Sequence, residues 1–151
     1  EDSLNIINSN GSLNNIEIKN SYQDSIDFDF SELMIKNIKI TNAGNDCIDM
    51  SYGNYEIIEI SSINCKDKAI SAGEKSYATI HNAILDNNNF GIVSKDSSRL
   101  LIHSGKITNN KICLAAYRKK QEFDGGLIMA PKDFCPKSEI YIQNKSEIIL
   151  K

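Results

Sequence analysis

An all-β solenoid, in which short parallel strands stack rung upon rung, is the fold class that this 151-residue sequence predicts. Three observations carry the prediction. The first is a repeat: Ile26, Ile48, Ile70, Ile92 and Leu114 follow one another at intervals of 22, and one step back lands on Leu4. The second is composition. The chain holds 25 Ile and 18 Asn but only two Pro and no Trp, a mixture of β-branched apolars and turn formers that suits brief strands between many tight turns. The third is the scale of alternation within one period. IEISSINCKDKAIS switches between apolar and polar on a strand scale, and Gly, Asn or Asp interrupts every few residues. Helical repeats of tetratricopeptide or ankyrin type need about 33 residues, and the Leu-x-x-Leu-x-Leu frame of leucine-rich repeats is missing.

The columns of the repeat assign roles to positions. Ser25, Cys47, Ala69, Gly91 and Cys113, each just before a periodic apolar residue, form a small-residue corner. Phe28, Met50, Ala72, Ser94 and Ala116 follow two positions on, and Ile58, Ile80 and Ile102 make a further apolar column. Asn20, Asn42, Asn64, Asp86 and Thr108 read as a turn column, whose stacked amides satisfy one another along the axis as in cross-β ladders. With rungs about 4.8 Å apart, the whole is a right-handed parallel β-helix. The hand comes from the general rule for parallel crossovers.

The regular rungs run over about 4–116 of a single domain, 1–151. AAYRKKQEFDGG then breaks the register, and Gly125, Gly126, Pro131 and Pro136 follow closely. An irregular loop over 117–137 and closing rungs over 138–151 are expected. The chain opens at Glu1 without a Met or a basic, apolar leader, so it reads as a mature protein or an excised domain. An uncovered β-helix end is a template for further pairing; continuation upstream, or a partner over that end, is the expectation. Of the four cysteines, Cys47 and Cys113 share a column but lie three rungs apart, roughly 14 Å by strand spacing, beyond disulfide reach. Only Cys113 with Cys135 is expected to pair.

Charge and hydropathy exclude some functions. A net charge of -3 supplies no basic stripe for nucleic acid or anionic membrane, and no run approaches the 18 apolar residues of a membrane span. Chemistry must be read down columns, since residues 22 apart are neighbours. Glu59, His81 and His103, preceded by Asn37, form one such column, a candidate metal or proton-relay site beside the plainer reading of a polar outer face. Asp24 and Asp27 stand over Asp46 and Asp49, with Asp29 nearby. Carboxylates on adjacent rungs lie near glycosidase separations and could hold Ca²⁺, or simply solvate a turn. Tyr55 and Tyr77, one rung apart, offer a platform for a sugar.

YQDSIDF, GNDCIDM, CKDKAISAG and GIVSK on successive rungs resemble the catalytic rungs of polygalacturonase-type glycoside hydrolases, within the pectin-lyase-like superfamily of right-handed β-helices. That family reads Asn-Thr-Asp, Asp-Asp-Cys-Ile, Gly-His-Gly-Ile-Ser-Ile-Gly and Arg-Ile-Lys. The resemblance, over about residues 20–97, puts Asp24 at the first aspartate, Asp46 at the second of the pair and Lys95 at the final lysine. Asn45 replaces the other aspartate, Lys68 the histidine and Val93 the arginine. DKAISAGEKS, FGIVSKDSS and AAYRKKQEFDGG, over about 60–126, are similar to β-helix segments of bacterial surface or capsule-associated proteins, including those accompanying CotH-type kinase domains. Such segments are accessory, and no kinase motif is present here.

Inversion needs an acid and a base-held water, and the lost carboxylate, His and Arg leave too little for it. The expectation is therefore a non-catalytic module of a bacterial surface or secreted protein, extracellular, with a polysaccharide or another domain of its parent as partner. Asp27, Asp49, Tyr55 and Tyr77 are its candidate ligand residues, and no cofactor is expected unless Ca²⁺ binds. The alternative is a polysaccharide hydrolase or uronate lyase. A lyase needs a cation to neutralise the uronate and a Lys or Arg base, which Lys66, Lys68 and Lys95 keep open; for an enzyme, Asp24, Asp46, Lys68 and Lys95 are the catalytic candidates.

Overall fold

A computed structural model describes residues 1–136, 139–143 and 145–151. Among the described residues, fifteen strands, numbered in chain order, form two parallel sheets. Sheet 1 runs β1 (Leu4–Ile7), β3 (Ile26–Asp29), β5 (Ile48–Ser51), β7 (Lys68–Gly73), β9 (Phe90–Lys95), β12 (Ile112–Tyr117) and β14 (Ile140–Ile142). Sheet 2 runs β2 (Asn10–Ser21), β4 (Glu32–Ala43), β6 (Asn54–Cys65), β8 (Tyr77–Asp86), β10 (Arg99–Ile102), β13 (Leu127–Ala130) and β15 (Glu147–Leu150); β11 (Gly105–Thr108) also pairs with β8. The chain is thus a parallel solenoid of about seven turns.

The period of 22 holds throughout sheet 1 from Leu4 to Leu114 (Leu4 on Ile26, Ile26 on Ile48, Ile70 on Ile92, Ile92 on Leu114). Alternation decides which side is in: Ile26, Phe28, Ile48, Met50, Ile70, Ile92 and Leu114 are wholly buried, and each buried Ile contributes about 1.5–3 kcal/mol. The long strands of sheet 2 bend. In β4 the alternation Leu33, Ile35 slips by one at the consecutive exposed pair Lys36–Asn37 before Ile38 and Ile40 resume it. Because side chains alternate with period two, two outward residues in succession mark a corner, which gives each rung three faces.

Sheet 2 does not keep the interval. Ile57 pairs with Ile80 and Glu59 with Asn82, steps of 23. The extra residue sits in the turn Glu74–Lys75–Ser76, and the turn before β9 is one residue shorter, which restores sheet 1. The expected columns correct accordingly. The apolar ladder is Ile35, Ile57, Ile80 and Ile102, not one through Ile58. The asparagine column does not pass to Asp86 and Thr108 but to Asn87 and Asn109. Asn42 donates to Asn20, Asn64 to Asn42 and Asn87 to Asn64 at 2.9, 2.9 and 2.7 Å, while Asn109 donates to Asp86 at 2.8 Å. All five turn asparagines hold φ between 56° and 63°, the left-handed region that Asn enters most readily after Gly.

The closing segment also departs from expectation. Within the expected loop over 117–137, β13 already belongs to the sheet, pairing Arg99 with Leu127 after a step of 28. The expected start of the closing rungs, at 138, lies outside the described residues. Cys113 joins Cys135, with Cα atoms 6.0 Å apart, as expected. Cys47, however, joins Cys65 at 5.6 Å, a pairing the column argument missed. The two ends of a turn approach each other at a spacing of four, as the Ser21 and Ser25 hydroxyls do at 2.5 Å. One rung forward and one turn back makes 22 − 4 = 18, the separation of Cys47 and Cys65.

Candidate functional site

The outward side of sheet 1 carries most of the candidate residues. Asp24 sits in the turn before β3, and its Oδ1 accepts from the Asp46 backbone N–H at 2.8 Å and from Asn45 Nδ2 at 2.7 Å. Asp46 repeats the brace one rung on, accepting from the Lys68 N–H at 2.9 Å and from Lys68 Nζ at 3.3 Å. Asp46 is 2% exposed; burial raises its carboxyl to about 6, against the pull of the Lys68 ammonium. Lys68 also contacts the Asp67 carboxylate. Burial works against its charge, but Asp46 and Asp67 outweigh that and raise its pKa, so it remains an ammonium. Asp24, Asn45, Asp46 and Lys68, four of the positions matched by resemblance, are thus one continuous set of turn braces.

Val93, at the arginine position, is wholly buried. Lys95 is 4% exposed and folds back over Gly73 to reach Ser71 Oγ at 3.0 Å and Asp49 Oδ1 at 3.5 Å. Gly73 permits this, since an added Cβ there would lie 2.7 Å from Lys95 Cε. Asp27 and Asp49 are register partners in β3 and β5. Burial first, and then the Asp29 and Asp49 charges, raise Asp27 to about 7; Asp29 is raised for similar reasons. Among the described residues, no group of three or more His, Cys, Asp or Glu side chains is arranged to hold a metal ion.

Two expected constellations come apart. Glu59 faces Asn82, not His81, because of the 23-residue step. His81 instead meets Glu56 at 2.9 Å, and its ring stacks on His103 with centroids 5.0 Å apart. Tyr55 and Tyr77 do not stack either: Tyr55 pairs with Ala78, and Tyr77 with Asn54. Tyr55 is buried, its ring 5.8 Å from Phe28, and its hydroxyl donates to the Phe28 and Ser51 carbonyls at 3.0 Å each. On the following rungs, Ser76 and Ser98 bond the equivalent carbonyls of Met50 and Ala72. Tyr55 does that work where Gly53 leaves no hydroxyl, and burial lifts its phenol to about 12.

The residues missed by column reasoning lie at the C-terminal end of the flank. A cleft of about 450 Å³ is lined by Phe90, Ile112, Tyr117, Arg118, Lys119, Tyr141 and Gln143. Tyr117 and Tyr141 meet edge to face at 6.3 Å. The segment after β12 is strapped down: Arg118 N donates to Gln143 Oε1 at 2.9 Å, and Lys119 N and Lys120 N donate to buried Asp96 at 2.6 and 2.8 Å. Farther along, Lys120 pairs with Glu74 at 2.5 Å, and Phe123 lies edge-on to Tyr52. RKK marks the cationic part in the sequence and Phe90 lies one regular step of 22 from Ile112, but Tyr141 arrives opposite Ala115 by a step of 26 and joins only in space.

Parallel register, inward isoleucines and outward polar flanks define a β-helix domain. The chain belongs to the right-handed β-helix family: the family described as Right handed beta helix region matches residues 1–128. No curated protein and no solved structure matches the chain. No helix among the described residues is long and apolar enough to cross a membrane.

Proposed function

We propose that this β-helix is a non-catalytic, exported module of a bacterial surface or secreted protein that binds carbohydrate on the outer flank of sheet 1. The observation that carries the reading is the engagement of Asp24, Asp46 and Lys68 with one another's backbone. A general acid or base must reach a substrate proton, and Asp46 is buried with its oxygens committed to Lys68. All four cysteines pair, which suits an oxidising compartment. The competing reading, polysaccharide cleavage, rests on Asp27, a carboxyl held near neutrality beside Asp49.

Incubation with uronate polymers, with and without Ca²⁺, separates the two. The module reading expects no new reducing ends or unsaturated products, and glycan affinity within a few-fold of the parent in Asp24→Asn and Asp46→Asn. Cleavage that disappears in folded Asp46→Asn or Asp27→Asn would establish the enzyme instead, since losing a positioned acid or base costs about 10²–10⁴ in rate.

A further inference from the structure

We infer that the cleft between Tyr117 and Tyr141 is the sugar-binding site, and that it takes an acidic glycan unit, one bearing a carboxylate or sulfate. The inference rests on the carbohydrate-binding reading and gives that reading a place and a ligand class. Three features point there. The lining is apolar and aromatic at Phe90, Ile112, Tyr117 and Tyr141, the surface on which the C–H face of a pyranose packs. Both charged residues of the lining, Arg118 and Lys119, are basic, on a chain whose net charge is -3. A cationic, aromatic recess on an acidic protein selects an anion that also has an apolar face.

The third feature is preorganisation. The backbone at Arg118, Lys119 and Lys120 is pinned by Gln143 and by the wholly buried Asp96, so little loop ordering remains to oppose binding. Arg118 brings a planar guanidinium, whose fork matches the two oxygens of a carboxylate or sulfate. At about 450 Å³ the cleft has the size of a small-ligand pocket, suited to a chain end or short stretch of glycan rather than a folded partner. Its lining includes none of Asp24, Asp46 and Lys68, although Phe90 is the register partner of Lys68, so the cleft adjoins the end of the braces without using the residues of the hydrolase resemblance.

The test is calorimetric titration of the whole chain at fixed ionic strength with an oligogalacturonate, a sulfated oligosaccharide, a neutral cello-oligosaccharide and adenosine monophosphate. The expectation is that one acidic oligosaccharide binds at least about tenfold tighter than the neutral one, a carboxylate or a sulfate preference naming the source. Arg118→Gln and Tyr141→Ala, both at exposed positions, should each weaken that binding about tenfold. Lys36→Gln, which removes an exposed charge on sheet 2, should leave it unchanged and controls for net charge. Circular dichroism establishes that each variant is folded. Saccharide binding that ignores Arg118→Gln and Tyr141→Ala overturns this site while the carbohydrate reading stands. Preference for the neutral oligosaccharide overturns the ligand class. Binding of the nucleotide alone, or of no probe, overturns the site and the carbohydrate reading together.

Discussion

Two columns of turns run the length of this β-helix, and they use the same backbone for opposite ends. The turns leading into sheet 1 hold Asn20, Asn42, Asn64, Asn87 and Asn109 in the left-handed region. Those leading into sheet 2 hold Phe30, Tyr52, Glu74, Lys75, Asp96 and Ser97 there. The first column is uniform and, from Asn20 to Asn87, looks to itself: each of these amides answers the next, Asn109 turns to Asp86, and behind them the corner closes through the Ser21–Ser25 hydroxyls, the Cys47–Cys65 bond and then buried Asn88 on Asn110. The second column is varied and looks outward. Tyr52, Lys75, Glu74, Asp96 and Ser97 all receive the segment after β12. Repetition of one residue serves stacking; variation at the same geometry attaches something to the stack.

The strongest way to break that contrast is at the disulfides. Replacing Cys47 and Cys65 by Ser should lower global stability by about 3 kcal/mol, because a cross-link over so short a loop restricts the unfolded chain by about that much. Urea unfolding measures it. Replacing Cys113 and Cys135 should instead release mainly the closing segment, seen as faster amide exchange over 127–136 with β3–β6 still protected. Equal protection losses in both variants would show that the two regions unfold as one.

Next comes the ladder itself. Asn64→Ala removes one bond given and one received, each worth about 0.5–1.5 kcal/mol, and places Ala where a left-handed backbone disfavours it. A loss of about 2 kcal/mol is expected, with Asn64→Gly recovering the conformational share. Tyr52→Ala, in the outward column, should lose less, about 1 kcal/mol of aromatic stacking on Phe30. If Tyr52→Ala proves the costlier, the outward column is the structural one. Tyr55→Phe isolates the hydroxyl: the buried Phe28 carbonyl loses its side-chain donor, for about 1–2 kcal/mol, by the same denaturation measurement.

The smallest effect is a pH dependence. Asp27 is raised to about 7 in the folded chain, above its unfolded value near 3.9. The folded state therefore binds that proton more tightly, and the associated stability is present at acid pH and lost as pH rises through about 7. Asp46, raised to about 6, acts in the same direction. Midpoints of urea unfolding should fall between about pH 4 and pH 7, and Asp27→Asn should flatten the decline. An unchanged slope in that variant would assign the pH dependence to other groups.

Much of the fold was legible in the chain because sheet 1 keeps its interval without a gap from Leu4 to Leu114, so Ile48, Ile70 and Ile92 announce their own stacking. The candidate site was legible only in part. Asp24, Asp46 and Lys68 do neighbour one another, but a column of letters does not say whether a carboxylate faces solvent or caps the next turn. Tyr55 and Glu59 were misplaced by one inserted residue, which moves the β6–β8 pairing to a step of 23 while β8–β10 in sheet 2 and β7–β9 in sheet 1 keep 22.

What the sequence by itself determined was the repeat: the period, the inward isoleucines and the asparagine turns are local rules applied again on each rung, and local rules are written in neighbouring letters. The tertiary structure alone decided where the rungs depart from repetition. Cys47 found Cys65 across a turn and a rung, Tyr55, inward like its partner Leu33, bonded the carbonyl that a serine bonds on later rungs, and Phe90, Tyr117, Arg118 and Tyr141 met around one cleft. The disulfide and the arrival of Tyr141 depend on chain steps of 18 and 26 rather than 22, and only closure of the coil in space sets which steps bring side chains together.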